Sequence, residues 1–364
     1  MPLRSRILIG LAGVLTVLAL LGAWADRQLL NTDDWTSTSA ALLREDSIRN
    51  PVADAIAAQV ADGSRATDLL QEVLPPRLQP LAPQAGALVR EAAQRATQRL
   101  LDTPKVQQLW VDANRITHRQ FVRLVDGDGT VVNGTGVVLD LRPLAVQVAQ
   151  QAGFSGDRLE RLPQPAGRIV LVRPKQLDTL RKLGDVLGTL AWLPGVLALL
   201  LYAAAIWWAP RARRRAVLGT AVALFTAGLI VLVARRIGGH VLVDAVAADG
   251  PYVPTAQAIW RIVTSLLAEL AVVTIVVGAV GGFGAWLAGP GPRASWLRAK
   301  TAPALAVPLS GALGGAALIY LVLLAWGPLT VLRRPLPIVV FGVLLLAGVW
   351  LLREQIVREQ EDAA

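Results

Sequence analysis

Residues 7–24 read ILIGLAGVLTVLALLGAW, with no charge and no proline. As an α-helix this stretch rises about 27 Å, close to the ~30 Å of a bilayer's hydrocarbon core. Five more runs of the same character follow, at 186–208, 216–234, 262–287, 302–326 and 336–352. Their spacing predicts a mainly α membrane protein, with six helices forming a transmembrane bundle. Between the first two runs lies a polar stretch, 25–183, long enough to be a domain.

Composition agrees. Mean hydropathy is +0.50 and 54% of the residues are hydrophobic. The chain carries a net charge of +10. Residues 25–183 hold 20 basic and 18 acidic side chains, so most of the excess sits beside the apolar runs. That is the distribution of membrane topology and not of a nucleic-acid surface, so no nucleic-acid partner is expected. The absence of cysteine excludes disulfides, thiolate metal sites and cysteine nucleophiles.

The basic residues also orient the chain. Arg4, Arg6, Arg211, Arg213, Arg214, Arg215, Arg293, Arg298, Lys300, Arg353 and Arg358 fall on one side, against five on the other. Short basic loops stay cytoplasmic, whereas long domains translocate. This predicts a multi-pass protein of a bacterial inner membrane with both termini (1–6 and 353–364) cytoplasmic. The 25–183 domain and the 235–261 loop are then outside. Ala23-Trp24-Ala25 offers a small-x-small cleavage pattern, but 18 apolar residues exceed the ~7–15 of a signal-peptide core, which favours an uncleaved anchor.

Within 25–183, residues 26–62 read as helix. Asn50 is the expected cap and Pro51 the expected first residue of the second half. Prolines at 75, 76, 80 and 83 break the chain. Stripes from Leu88 to Leu101 and from Val106 to Leu124 predict a helical hairpin broken at Asp102-Thr103-Pro104. Asn133-Gly134, between β-branched runs, signals a β-hairpin. With a later strand at 168–172 and a helix at 143–152, this makes the exported domain mixed α/β, a helical hairpin plus a small sheet. Residues 175–208 show no strong break before Pro194-Gly195, so the domain is expected to stand on a helix continuous with the second span.

Candidate chemistry is sparse. Glu269 is the one ionisable residue well inside an apolar run, with Ser265 four residues earlier on the same face. Intramembrane carboxylates mark ion or substrate paths, although Arg235, Arg236 or Arg261 at the same edge offers a structural ion pair. Glu269, Ser265, Arg235, Arg236 and Arg261 therefore form the expected polar cluster. The two histidines, His118 and His240, are far apart and no H-E-x-x-H occurs, so no metal is expected. His118 reads as a half-buried hydrogen-bonding residue. Asp126 and Asp128 resemble the start of a calcium loop that lacks its later ligands, and read as a turn. Asp33, Asp34 and Trp35 read as a polar–aromatic collar at the membrane interface. Gly278 and Gly282, and likewise Gly311 and Gly315, are spaced for close helix approach, expected between the fourth and fifth spans. No nucleophile elbow, P-loop or dinucleotide fingerprint occurs, so neither enzyme activity nor a cofactor is expected.

Several stretches together resemble a group of uncharacterised actinobacterial integral membrane proteins. They are Asn31-Thr32-Asp33-Asp34-Trp35, Leu74-Pro75-Pro76-Arg77-Leu78, residues 109–118, residues 136–144 and residues 243–249. The resemblance implies the topology and brings no catalytic residues. The resulting expectation is an envelope scaffold or sensor that binds a protein partner through 25–183. The alternatives are a small-solute or lipid transporter centred on Glu269 and a membrane-embedded enzyme using His118 or Asp140.

Overall fold

The computed structural model describes residues 2–60, 82–126, 137–140, 168–172, 174–247, 252–305 and the single positions 250, 317 and 342. The chain is mostly helical. In order come α1 (Leu3–Leu29), α2 (Thr32–Arg44), α3 (Asp46–Val60), α4 (Ala82–Asp102) and α5 (Pro104–Val125). Strands β1 (Val137–Asp140) and β2 (Arg168–Val172) pair antiparallel, with Leu139 opposite Ile169. After them come α6 (Pro174–Trp207), α7 (Arg213–Ala247), α8 (Val253–Val263), α9 (Ser265–Leu287) and α10 (Pro292–Leu305). Among the described residues four segments are long and apolar enough to cross a membrane: Leu3–Leu29, Gly184–Trp207, Arg213–Val246 and Ser265–Leu287. They coincide with the first four apolar runs. The sixth run, nearly all of the fifth, Gly311, Gly315, the proline breaks at 75–80, the Asn133-Gly134 turn, Asp128 and the 143–152 helix lie outside the described residues.

The chain divides into two compact units, Met1–Trp24 with Thr189–Gly238 and Ser265–Ala364, and Ala25–Gly188 with Gly239–Thr264.

In the first unit, small residues let the helices approach closely. A Cβ on Gly22 of α1 would collide with the Leu190 carbonyl of α6. Ile9 and Ala12 of α1 bury against Ala198, Tyr202 and Ala205 of α6. Thr16 donates to the Ala12 carbonyl at 2.8 Å and shares a 3.2 Å hydrogen bond with the Tyr202 hydroxyl. The α7–α9 seam is tighter still. A Cβ on Gly228 would lie 2.6 Å from the Ala271 oxygen, and one on Gly278 would lie 2.6 Å from the Phe225 nitrogen. Gly278 and Gly282 thus face α7, where the sequence reading assigned them to the fifth span. Arg214 donates Nε to the Ala285 carbonyl at 2.8 Å, satisfying an orphan acceptor and opposing the dipole at the C-terminus of α9. Side chains turned away from these seams are apolar and open. On α1 they are Leu3, Ile7 (61% exposed), Leu11, Val14, Leu18 and Leu21, at helical spacing. An apolar stripe that long suits lipid and not water.

α7 is longer than its apolar run. Leu229 and Val233 share an exposed face with Arg236, His240 and Asp244, each three or four residues on. The helix surface turns polar at Arg236, roughly 32 Å along the axis from Arg215, close to one hydrocarbon thickness.

The second unit pairs α2 with α5 and α3 with α4, and lays α8 across α2 and α3. The α4–α5 hairpin matches the expectation from the sequence. Its main partners, however, are α2 and α3. Asn31, not Asn50, is the cap in this region: its Oδ1 accepts from the Asp33 and Asp34 amides, both at 3.0 Å. Pro51 lies inside α3, which already begins at Asp46. Proline has no N–H, so the Ser47 carbonyl one turn earlier lacks its helical donor. Thr255 of α8 fills that vacancy, donating Oγ1 to the Ser47 oxygen at 2.6 Å. The proline that a helix interior tolerates poorly thereby becomes the anchor point for α8. Residues 235–261 are helical over most of their length, as the end of α7 and as α8.

Candidate functional site

The residues of the polar cluster expected around Glu269 lie at the junction of α8 with α9 and near the end of the apolar run of α7. Helix geometry breaks at Thr264 (φ −96°, ψ 10°), whose buried hydroxyl donates to the Trp260 carbonyl at 2.6 Å. Ser265 opens α9 and is exposed; Glu269 follows one turn later and is half-buried. The glycine contacts fix the antiparallel register of α7 and α9 and set Glu269 level with about Leu232. Arg235 and Arg236 lie about one turn farther along α7. Glu269 and Arg235 both have interaction partners. Arg261 belongs to the second unit, where its guanidinium lies 3.0 Å from Glu45.

A second constellation, which the sequence reading treated as separate pieces, forms where α1 turns into α2. Leu29 ends α1, Asn31 caps α2, and Thr32 and Trp35 occupy the first turn of α2. His118 of α5, 6% exposed, is pressed into this elbow. Its Nδ1 lies 3.2 Å from the Thr32 hydroxyl, and its ring stacks on Trp35 with centroids 5.3 Å apart and planes 18° from parallel. Phe121 closes the other edge at 6.0 Å. One turn earlier Arg115 meets Asp33 at 3.3 Å, and farther back Trp110 donates its indole N–H to the Ser39 carbonyl at 3.1 Å. Burial holds the His118 imidazole below its ordinary value, and a hydrogen bond to the Leu29 backbone pulls weakly the other way.

The elbow joins two stretches quoted above for the resemblance, 31–35 and 109–118. Sequence reasoning saw the collar and the histidine but not their meeting, because nothing local couples residues 86 positions apart. A histidine amid a helical stripe, facing the cap of a span-proximal helix, was the available signal.

Among the described residues no group of three or more His, Asp and Glu side chains is placed to hold a metal. His240 stands exposed on α7, away from any such group. What the elbow can do is hold α5 against the α1–α2 turn through one buried, titratable ring. Comparison with protein-family models, with curated proteins and with solved structures finds no match to this chain.

Proposed function

We propose that this is a multi-pass bacterial inner-membrane protein that serves as an envelope scaffold or sensor. Its extracytoplasmic module binds a protein partner. In this reading six helices form the bundle, both termini are cytoplasmic, and the module is the mixed α/β domain between the first two spans.

The observation that carries the reading is the composition of the second unit. Residues 25–188 pack with 239–264, and these are the two segments that the charge distribution assigns to one side of the membrane. A loop of the bundle is thus built into the module, and α8 anchors there through Thr255 and Arg261. The test is photocrosslinking in cells from exposed module positions such as Leu100 and Val52. A discrete protein adduct supports the reading, and no adduct from any exposed helix of the module refutes it.

Glu269 supports a second reading, transport through the bundle, because a half-buried carboxylate lies one turn into the apolar helix α9. The close glycine packing of the α7–α9 seam favours the scaffold. Glu269→Gln should abolish a measurable flux if transport is the function, and an unchanged flux removes that option.

A further inference from the structure

We propose that His118 is a proton-operated latch: neutral, it closes α5 onto the α1–α2 elbow, and protonated, it releases it. This deepens the sensor reading, on which it rests for its physiological meaning, by naming the input as acidification of the compartment that bathes the module.

From α5 the ring reaches two other elements, the Leu29 backbone at the end of α1 and Thr32 and Trp35 on α2, with Phe121 of its own helix beside it. A charge placed there is buried at the point where all three meet. Two features favour the imidazolium: the carbonyl of Leu29 and the face of Trp35. Burial opposes it and is the largest influence. The charged groups within about two turns of the elbow are Asp26 and Arg27 on α1, Asp33 and Asp34 on α2, and Asp112, Arg115, Arg119 and Arg123 on α5. Asp33 is bridged to Arg115 at 3.3 Å. The side-chain partner at His118 Nδ1 is the neutral Thr32 hydroxyl and not a carboxylate. Histidine is the one side chain whose ordinary titration spans mildly acidic pH, which makes acidification the natural input. Opening would free the Trp110–Ser39 contact next, because it lies on the same α2–α5 face.

The composition supplies the experiment. With two histidines and no cysteine, isotope-labelled histidine gives two imidazole signals, and single cysteines report unambiguously. In the full chain in lipid nanodiscs, the His118 signal, assigned by its persistence in His240→Gln, should titrate below the ordinary imidazole value of about 6.5. A cysteine at the buried Ser39, normalised to one at the exposed Ser37, should gain at least several-fold in thiol reactivity between pH 7.5 and 5. In a His118→Asn background that gain should vanish. A His118 signal titrating at or above 6.5, or a Ser39→Cys reactivity that rises equally with His118→Asn, overturns the latch. A failed latch with intact partner crosslinking leaves the scaffold or sensor reading standing. Loss of partner crosslinking at neutral pH removes that reading whatever the histidine does.

Discussion

The hydrogen bond from Thr255 to Ser47 is expected to hold α8 to the second unit only because Pro51 has vacated its own place in the helix. Thr255→Val removes the donor while keeping the shape, and it leaves a half-buried carbonyl with neither a helical nor a side-chain partner. An unsatisfied buried acceptor costs about 1–3 kcal/mol, and partial exposure of Ser47 places this one near 1–2 kcal/mol. Pro51→Ala restores an N–H within reach of the same oxygen. In that background Thr255→Val should cost less than about 0.5 kcal/mol, which makes the coupling between the two sites roughly 1 kcal/mol. Hydrogen–deuterium exchange of a peptide covering Val253–Val263 reads the opening of α8 directly. Exchange should accelerate about 5- to 30-fold in Thr255→Val and barely change when Pro51→Ala is also present. Equal acceleration in both backgrounds would refute the idea that the proline created the docking point.

Gly278→Ala should destabilise the bundle by about 1–3 kcal/mol, because the new Cβ meets the backbone of α7. Gly284→Ala, with nothing within 4 Å, should be neutral or gain up to about 1 kcal/mol of helix propensity, and detergent unfolding followed by circular dichroism separates the two. Glu45→Gln should cost no more than about 1 kcal/mol, since the pair it breaks is partly exposed. Arg49→Gln should cost visibly more in the same thermal unfolding. Its side chain is 14% exposed and spans Asp46 at 2.5 Å and Asp102 at 2.7 Å, tying the start of α3 to the end of α4. With His118 held below its ordinary value, the unfolded chain takes up the proton first as pH falls. Thermal stability should be full above about pH 6.5, decline below it and level off beneath the folded-state value, and His118→Asn should flatten that slope.

Local signals carried much of this structure. The first four spans, the long helix from Pro174 to Trp207 and the α4–α5 hairpin are all written in hydropathy and helical spacing, and those are properties of neighbouring residues. The misreadings came from partners distant in sequence. Pro51 resembled a helix start because proline favours that position, but Thr255, 208 residues from Ser47, makes an interior proline tolerable. Gly278 resembled half of a seam with the following span, yet spacing identifies a small face without naming its neighbour. Arg261 reaches Glu45, a partner so far off in sequence that spacing could not name it. Nothing in the composition announced that the ring of His118 would complete the elbow at Trp35.

The central claim is that residues 25–188 and 239–264 make one module on the side of the membrane away from the cytoplasm, and single-cysteine labelling of intact cells tests it most directly. Cysteines at Ser37 and Asp244 should react with a membrane-impermeant maleimide added from outside. Cysteines at Arg215 and Arg293 should react only after permeabilisation. Reaction of Arg215→Cys or Arg293→Cys in sealed cells, with Ser37→Cys and Asp244→Cys protected, would contradict the account.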